Sequence, residues 1–180
     1  MKEIFPDKKI PIPDDQGTLS KNNFLYLKNL IMSQGLTGEE ATQEAWEYQL
    51  LETALIDKAN ELAISVTKEE IEQYVKRNKE LFESSVTEDG LEISNHKETV
   101  EGIERRIEGM GITMEQYWSE YLPEIAENQI KLQKLQEILL EEGMDTNVIG
   151  TPERMREIVS EFEQKYSDEI LQFKNKLNIE

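Results

Sequence analysis

Enzymatic chemistry needs a nucleophile, a proton-transfer pair, a metal or a phosphate cradle, and this chain supplies few of the parts. His96 is the only histidine and there is no cysteine. Thiolate catalysis, disulfides and cysteine-held zinc are therefore excluded. An acid–base role for His96 would need a positioned partner, and a metal site normally recruits several ligands. With Asn95, Lys97 and Glu98 beside it at an expected helix start, His96 reads as a surface side chain. Glutamates recur at helical spacing, but the E-x-x-H pair that accompanies them in helical metal sites is missing. Neither phosphate-binding glycine pattern, G-x-x-x-x-G-K-[ST] or G-x-G-x-x-G, is present, and G-x-S-x-G is absent too. The expectation is a protein with no catalytic residue, no metal and no cofactor, and not an enzyme.

The remaining chemistry is non-covalent. Met110, Met114, Tyr117, Trp118, Tyr121 and Leu122 crowd one short stretch. Such a set either packs a core or leaves a partly exposed cradle. Flexible methionines and amphipathic aromatics suit a surface that accepts varied peptides. In that second case Tyr74 or Phe82 from a preceding helix stands opposite, and Glu115 and Glu120 on the rim attract basic segments in a salt-sensitive way. The eight peptide-binding candidates are thus Tyr74, Phe82, Met110, Met114, Tyr117, Trp118, Tyr121 and Leu122.

The element that must position most of them is a long helix over Thr113–Glu142. Its apolar residues, Met114, Trp118, Tyr121, Ile125, Leu132, Leu135 and Leu139, step by fours and threes, with Asn128 in the one vacant place. Thr113 and Gln116 have capping-box form, Gly143 closes the pattern, and Pro123 predicts a kink or break near Ser119–Leu122. Before it, helices are expected over Ser20–Gln34, Thr37–Ala63, Thr67 to about Phe82, and His96–Met110. Capping boxes at Thr37/Glu40 and Thr67/Glu70 start the second and third. In the second helix Ala45, Tyr48, Leu51, Leu55, Ala59 and Leu62 are expected inward, and Glu39, Glu40, Glu44, Glu47, Asp57 and Glu61 outward on a solvated face. Residues 84–95 lose the period and read as a loop or frayed helix end. After a connector, Thr151-Pro152 opens a last helix reaching Leu177, whose aromatic stripe should pack on the early helices. No strand and no internal repeat is expected.

With 180 residues the chain has room for one domain with a modest core or two small ones. Lys and Arg number 20 against 38 Asp and Glu, a net charge of -18. This sign disfavours nucleic acid and an anionic membrane surface, and favours basic or unfolded partners. No apolar run approaches membrane-spanning length, and the first residues lack the apolar core of a signal peptide. Residues 1–17 hold three of the five prolines and read as an extended arm or tether, and residues 18–180 as one helical domain.

The order of pieces resembles the SurA/PrsA-type chaperone domain. The segment GTLSKNNFLYLKNLI is similar to that domain's opening. Ala54–Phe82, with Ile64, Ser65, Val66, Thr67, Glu69 and Glu70, is similar to its central helix–turn–helix pattern. Gly111, Thr113, Glu115, Tyr117, Lys131 and Leu132 match its long helix. The resemblance spans roughly Gly17–Glu142 and implies an elongated all-α module of about six helices, related in design to the arms of trigger factor. It further implies an extracytoplasmic peptide-binding holdase, with the cytoplasm as the alternative location. The connector leaves no room for the parvulin-type isomerase domain of many family members. Expected partners are unfolded or extended polypeptide segments; no nucleic acid and no membrane insertion are expected, and a homodimer stays open. The second reading is a structural or adaptor protein that binds one dedicated partner through the same apolar surface.

Overall fold

Three threonines start three of the helices. The side chains of Thr37, Thr67 and Thr113 each accept from the backbone N–H three residues on, and Glu40, Glu70 and Gln116 return the bond to the threonine N–H. Each box satisfies two donors that a helix start leaves without intrahelical partners. Ser20 serves the first helix, Lys21–Ser33, more weakly, its Oγ accepting from Asn23 N–H at 3.4 Å. Gly35, at φ +102°, turns the chain between that helix and the next, Gly38–Glu61, a conformation that costs glycine little.

The computed structural model describes residues 19–33, 35–86, 92, 94–141 and 152–179. The expected arm over 1–17 and the connector before Pro152 lie outside these. The helices are α1 (Lys21–Ser33), α2 (Gly38–Glu61), α3 (Lys68–Glu83), α4 (His96–Met110), α5 (Met114–Gln116), a π-helical turn (Tyr117–Tyr121), α6 (Leu122–Glu141), α7 (Pro152–Lys165) and α8 (Ser167–Leu177). The protein is all-α. Among the described residues extended pairing is limited to one isolated bridge, Val86 with Glu92, in the expected loop. The count exceeds six because the long central helix and the last helix are each subdivided. No helix among the described residues is long and apolar enough to cross a membrane.

The chain groups into two compact units, one containing Val66–Ile130 and the other built from residues up to Ser65 and from Lys131 onward. The sequence reading drew residues 18–180 as one domain. In the second unit α1, α2, α7, α8 and the end of α6 enclose one cluster that includes Phe24, Trp46, Leu50, Ala54, Leu135, Ile158 and Phe162. Phe173 of α8 closes it, stacked on Trp46 at 5.9 Å and edge-on to Phe24 at 6.3 Å. The last helix was expected unbroken, but it stops at Lys165. Tyr166 leaves helical geometry at φ -118°, ψ 28°. Its hydroxyl donates to Asp57 Oδ1 at 2.9 Å, and its ring lies 4.7 Å from that of Phe162.

The inward face of α2 differs from the expected one. Ala45 and Ala59 are buried as expected, but Tyr48 is 56 % exposed, Leu62 46 %, and Leu51 only half-buried. The buried stripe runs instead through Ala41, Ala45, Trp46, Gln49, Leu50, Thr53 and Ala54. Two polar residues on this stripe disguise it in the sequence. Gln49 Nε2 donates to Ser20 O at 2.7 Å, which offsets part of the cost of burying the amide, while its buried Oε1 has no hydrogen-bond partner among the described residues.

In the unit containing Val66–Ile130, α3 has no fully buried residue, and Ile71, Tyr74, Val75 and Phe82 are half-buried. Ion pairs Lys68–Glu72, Lys76–Glu80 and Lys79–Glu83 run along its surface at i,i+4 spacing. His96 is half-buried, its Nε2 3.2 Å from Phe82 O, so it ties the start of α4 to the end of α3. The irregularity expected near Pro123 is the π-helical turn. Leu122 N–H donates to Tyr117 O, five residues back, just before the proline that has no N–H to give.

Candidate functional site

The expected peptide cradle is a packed core. Met110 (2 % exposed), Tyr117, Trp118, Tyr121 and Leu122 are all buried, and Met114, Tyr74 and Phe82 are half-buried. The rings satisfy one another. Phe82 meets Trp118 at 5.4 Å, Trp118 meets Tyr117 at 5.0 Å edge-on, and Tyr117 stacks on Tyr121 at 5.5 Å. Such geometry stabilises aromatic pairs against each other. Burial also raises the Tyr74 phenol above its ordinary pKa, partly offset by a hydrogen bond with Asn78.

An open surface lies elsewhere, on the α2 face that was expected to point inward. Because Trp46, Gln49 and Leu50 turn toward the core, Tyr48 and Leu51 are carried outward with Leu36 beside them. These three form the floor of a groove of about 890 Å³ whose accessible lining is mainly apolar. Glu39, Glu44 and Glu47 line it as well, with Glu40 and Gln43. Glu40 is committed to the cap, and the hydrogen bond from Thr37 holds its carboxyl below the usual range. Gln43 Nε2 donates to Glu47 Oε1 at 2.8 Å. No cation among the described residues pairs with Glu39, Glu44 or Glu47.

The C-terminal end of the same helix has the opposite character. Lys165 of α7 binds Asp57 Oδ2 at 2.8 Å and Glu61 Oε1 at 2.9 Å. Lys58 binds Glu161 Oε2 at 3.0 Å and approaches Glu61 at 3.5 Å. Hydrogen bonding to Asp57 above all, then to Tyr166 and Glu61, pushes the Lys165 ammonium well above its ordinary pKa. The bond from Lys165 in turn holds Glu61 low. These carboxylates are structural, since they fasten α7 to α2.

The helix dipole accounts for part of the groove's charge. Glu39 and Glu40 lie in the first turn, where negative charge is favoured. Glu44 and Glu47 lie beyond the reach of that effect. Glu39, Glu40 and Glu47 are exposed as expected and Glu44 is half-buried, whereas Tyr48, expected inward, is exposed and Leu51 is only half-buried, which completes the groove. The clue available was Trp46 with Leu50 and Ala54, an alternative apolar stripe on the same helix. Among the described residues no three acidic or histidine side chains are grouped to hold a metal.

Comparison with known proteins gives one informative similarity. The chain is 32% identical over 154 residues to the glutamate-rich protein GrpA of Alkalihalophilus pseudofirmus, covering 86% of this chain and 91% of that protein. No protein-family model matches the chain, and no solved structure matches it. This similarity overturns the SurA/PrsA-type resemblance and the peptide-binding holdase that it implied, together with the associated chaperone and protein-folding roles. The segments that suggested it, around Val66–Thr67 and Gly111–Tyr117, are capping boxes and turns that many helical proteins need. With most of both chains aligned at this identity, the chain belongs to the family of the glutamate-rich protein GrpA.

Proposed function

We propose that this protein is a non-enzymatic binding protein that engages a basic protein partner through the groove on α2. The observation that carries this reading is the contrast along one helix: among the described residues Asp57 and Glu61 are matched by a lysine of the same chain, whereas Glu39, Glu44 and Glu47 are not. A surface that leaves carboxylates without internal cations around accessible apolar side chains is suited to a partner that brings the cations. The surplus of 38 acidic over 20 basic residues adds long-range steering toward such a partner. The relative's name, glutamate-rich protein, describes an acidic surplus of the same kind.

The test separates a local site from bulk charge. Binding of poly-lysine is measured by calorimetry at low salt for the wild type, for Glu39→Gln/Glu44→Gln/Glu47→Gln, and for Glu104→Gln/Glu120→Gln/Glu124→Gln. The second triple neutralises three exposed glutamates outside the groove and changes the net charge equally. Weakening confined to the groove triple supports the proposal. Equal weakening in both, or none in either, rejects it.

A further inference from the structure

We infer that the occupant of the α2 groove is a basic amphipathic helix of a partner protein, not a general polycation; this rests on the reading of the groove as a binding site. The groove is first an apolar feature. Leu36, Tyr48 and Leu51 form its floor, and Tyr48 leaves 56 % of its surface to solvent while its neighbours Trp46 and Leu50 are buried. A lysine-only chain would meet the carboxylates and leave this floor wet. A segment carrying both basic and apolar side chains satisfies both.

The spacing favours a helix. The groove's residues on α2 run from Glu39 to Leu51, about 18 Å along the axis at 1.5 Å per residue. That is the length of about three helical turns in a partner. Tyr48 and Leu51 are three apart, as are Glu44 and Glu47. This is the ridge spacing that one helix presents to another. A partner with apolar residues three and four apart can seat them on Tyr48 and Leu51. Its flanking Lys or Arg side chains then reach Glu39, Glu44 and Glu47, in the helix-in-groove manner.

The experiment uses the full chain and two fourteen-residue probes of identical Lys/Leu composition. One has its leucines at i, i+3, i+4 and i+7; the other is scrambled so that no helical stripe forms. The expected result is that the striped peptide binds about tenfold tighter than the scrambled one. Tyr48→Ala, with unchanged helix content, should weaken the striped peptide by about tenfold, as removal of one seated side chain does. It should leave the scrambled peptide's affinity unchanged. Equal binding of the two peptides, together with sensitivity to the groove glutamates, overturns the helix inference and leaves the acidic binding site standing. Indifference of both peptides to both the glutamate triple and Tyr48→Ala overturns the site itself.

Discussion

The two ends of α2 carry similar numbers of carboxylates and put them to different uses. Near its C-terminus Asp57 and Glu61 are held by Lys165, and Tyr166 donates a further bond, so negative charge has become an attachment between helices. Near its N-terminus Glu39, Glu44 and Glu47 lie beside exposed Tyr48 and half-buried Leu51, and none of the three pairs with a cation among the described residues. Acidic composition alone therefore says little about role. What separates the two ends is whether a described residue of the same chain supplies the counter-charge.

Four measurements test this contrast. The largest effect is expected from neighbours facing opposite ways. Trp46→Ala removes a ring that is 5 % exposed and stacked on Phe173, and should cost about 3–5 kcal/mol, a fall in Tm of roughly 10 °C or more in thermal unfolding. Tyr48→Ala, two residues on, should change stability by about 0.5 kcal/mol or less. A comparable loss at Tyr48 would mean that the groove floor is core. Next, Tyr166→Phe deletes only the hydroxyl that bonds Asp57 and should destabilise by about 0.5–1.5 kcal/mol. No change would show that this hydroxyl adds nothing to the ion pairs and apolar packing that hold α7.

A smaller effect is expected in acid. Because Glu61 is held low, its contribution is present above its ordinary pKa of about 4.3 and is lost as pH falls through the lowered value. Because Lys165 is held high, its contribution is complete below about 10.4 and is lost only as pH rises through the raised value. The Tm difference between wild type and Lys165→Gln should therefore be flat between about pH 5 and 10 and shrink below about pH 4. A difference that grows in acid would contradict the pairing. The smallest effect is at the other end. Glu44→Gln relieves like-charge repulsion with Glu47 and should stabilise the protein by a few tenths of a kcal/mol, on the order of 0.3. A clear loss would reveal a cation that the groove does draw from its own chain.

Local signals in the sequence were sound guides to where helices begin. Thr37, Thr67 and Thr113 each form the expected box, Pro152 opens α7, and the long helix is irregular next to Pro123. These depend on neighbours three or four residues away, which a single sequence displays. Which way α2 faces depends on partners far along the chain. Gln49 can be buried only because Ser20 O, twenty-nine positions earlier, receives its amide, and Trp46 because Phe173 covers it. Counted as polar, Gln49 and Thr53 hide the true inward stripe, and Tyr48 and Leu51 supply a false one. The break at Tyr166 was invisible for the same reason, since Asp57 is its partner. The aromatic run at Tyr117–Tyr121 was recognised as a cluster, but composition does not separate a core from a cradle.

The wide turn at Tyr117–Tyr121 keeps the long helix in phase with its own core. At about 100° per residue, Trp118 and Ile130 on an uninterrupted α-helix would point about 120° apart. Absorbing one extra residue in a π-helical turn takes back about 100° of that rotation. Trp118, Ala126 and Ile130, all buried, are thereby brought near a common azimuth. The irregularity thus behaves as a frame correction written into the backbone. Excising one residue from it, for instance the exposed Ser119, would yield a regular helix on which Trp118 and Ile130, then eleven residues apart, keep that same alignment.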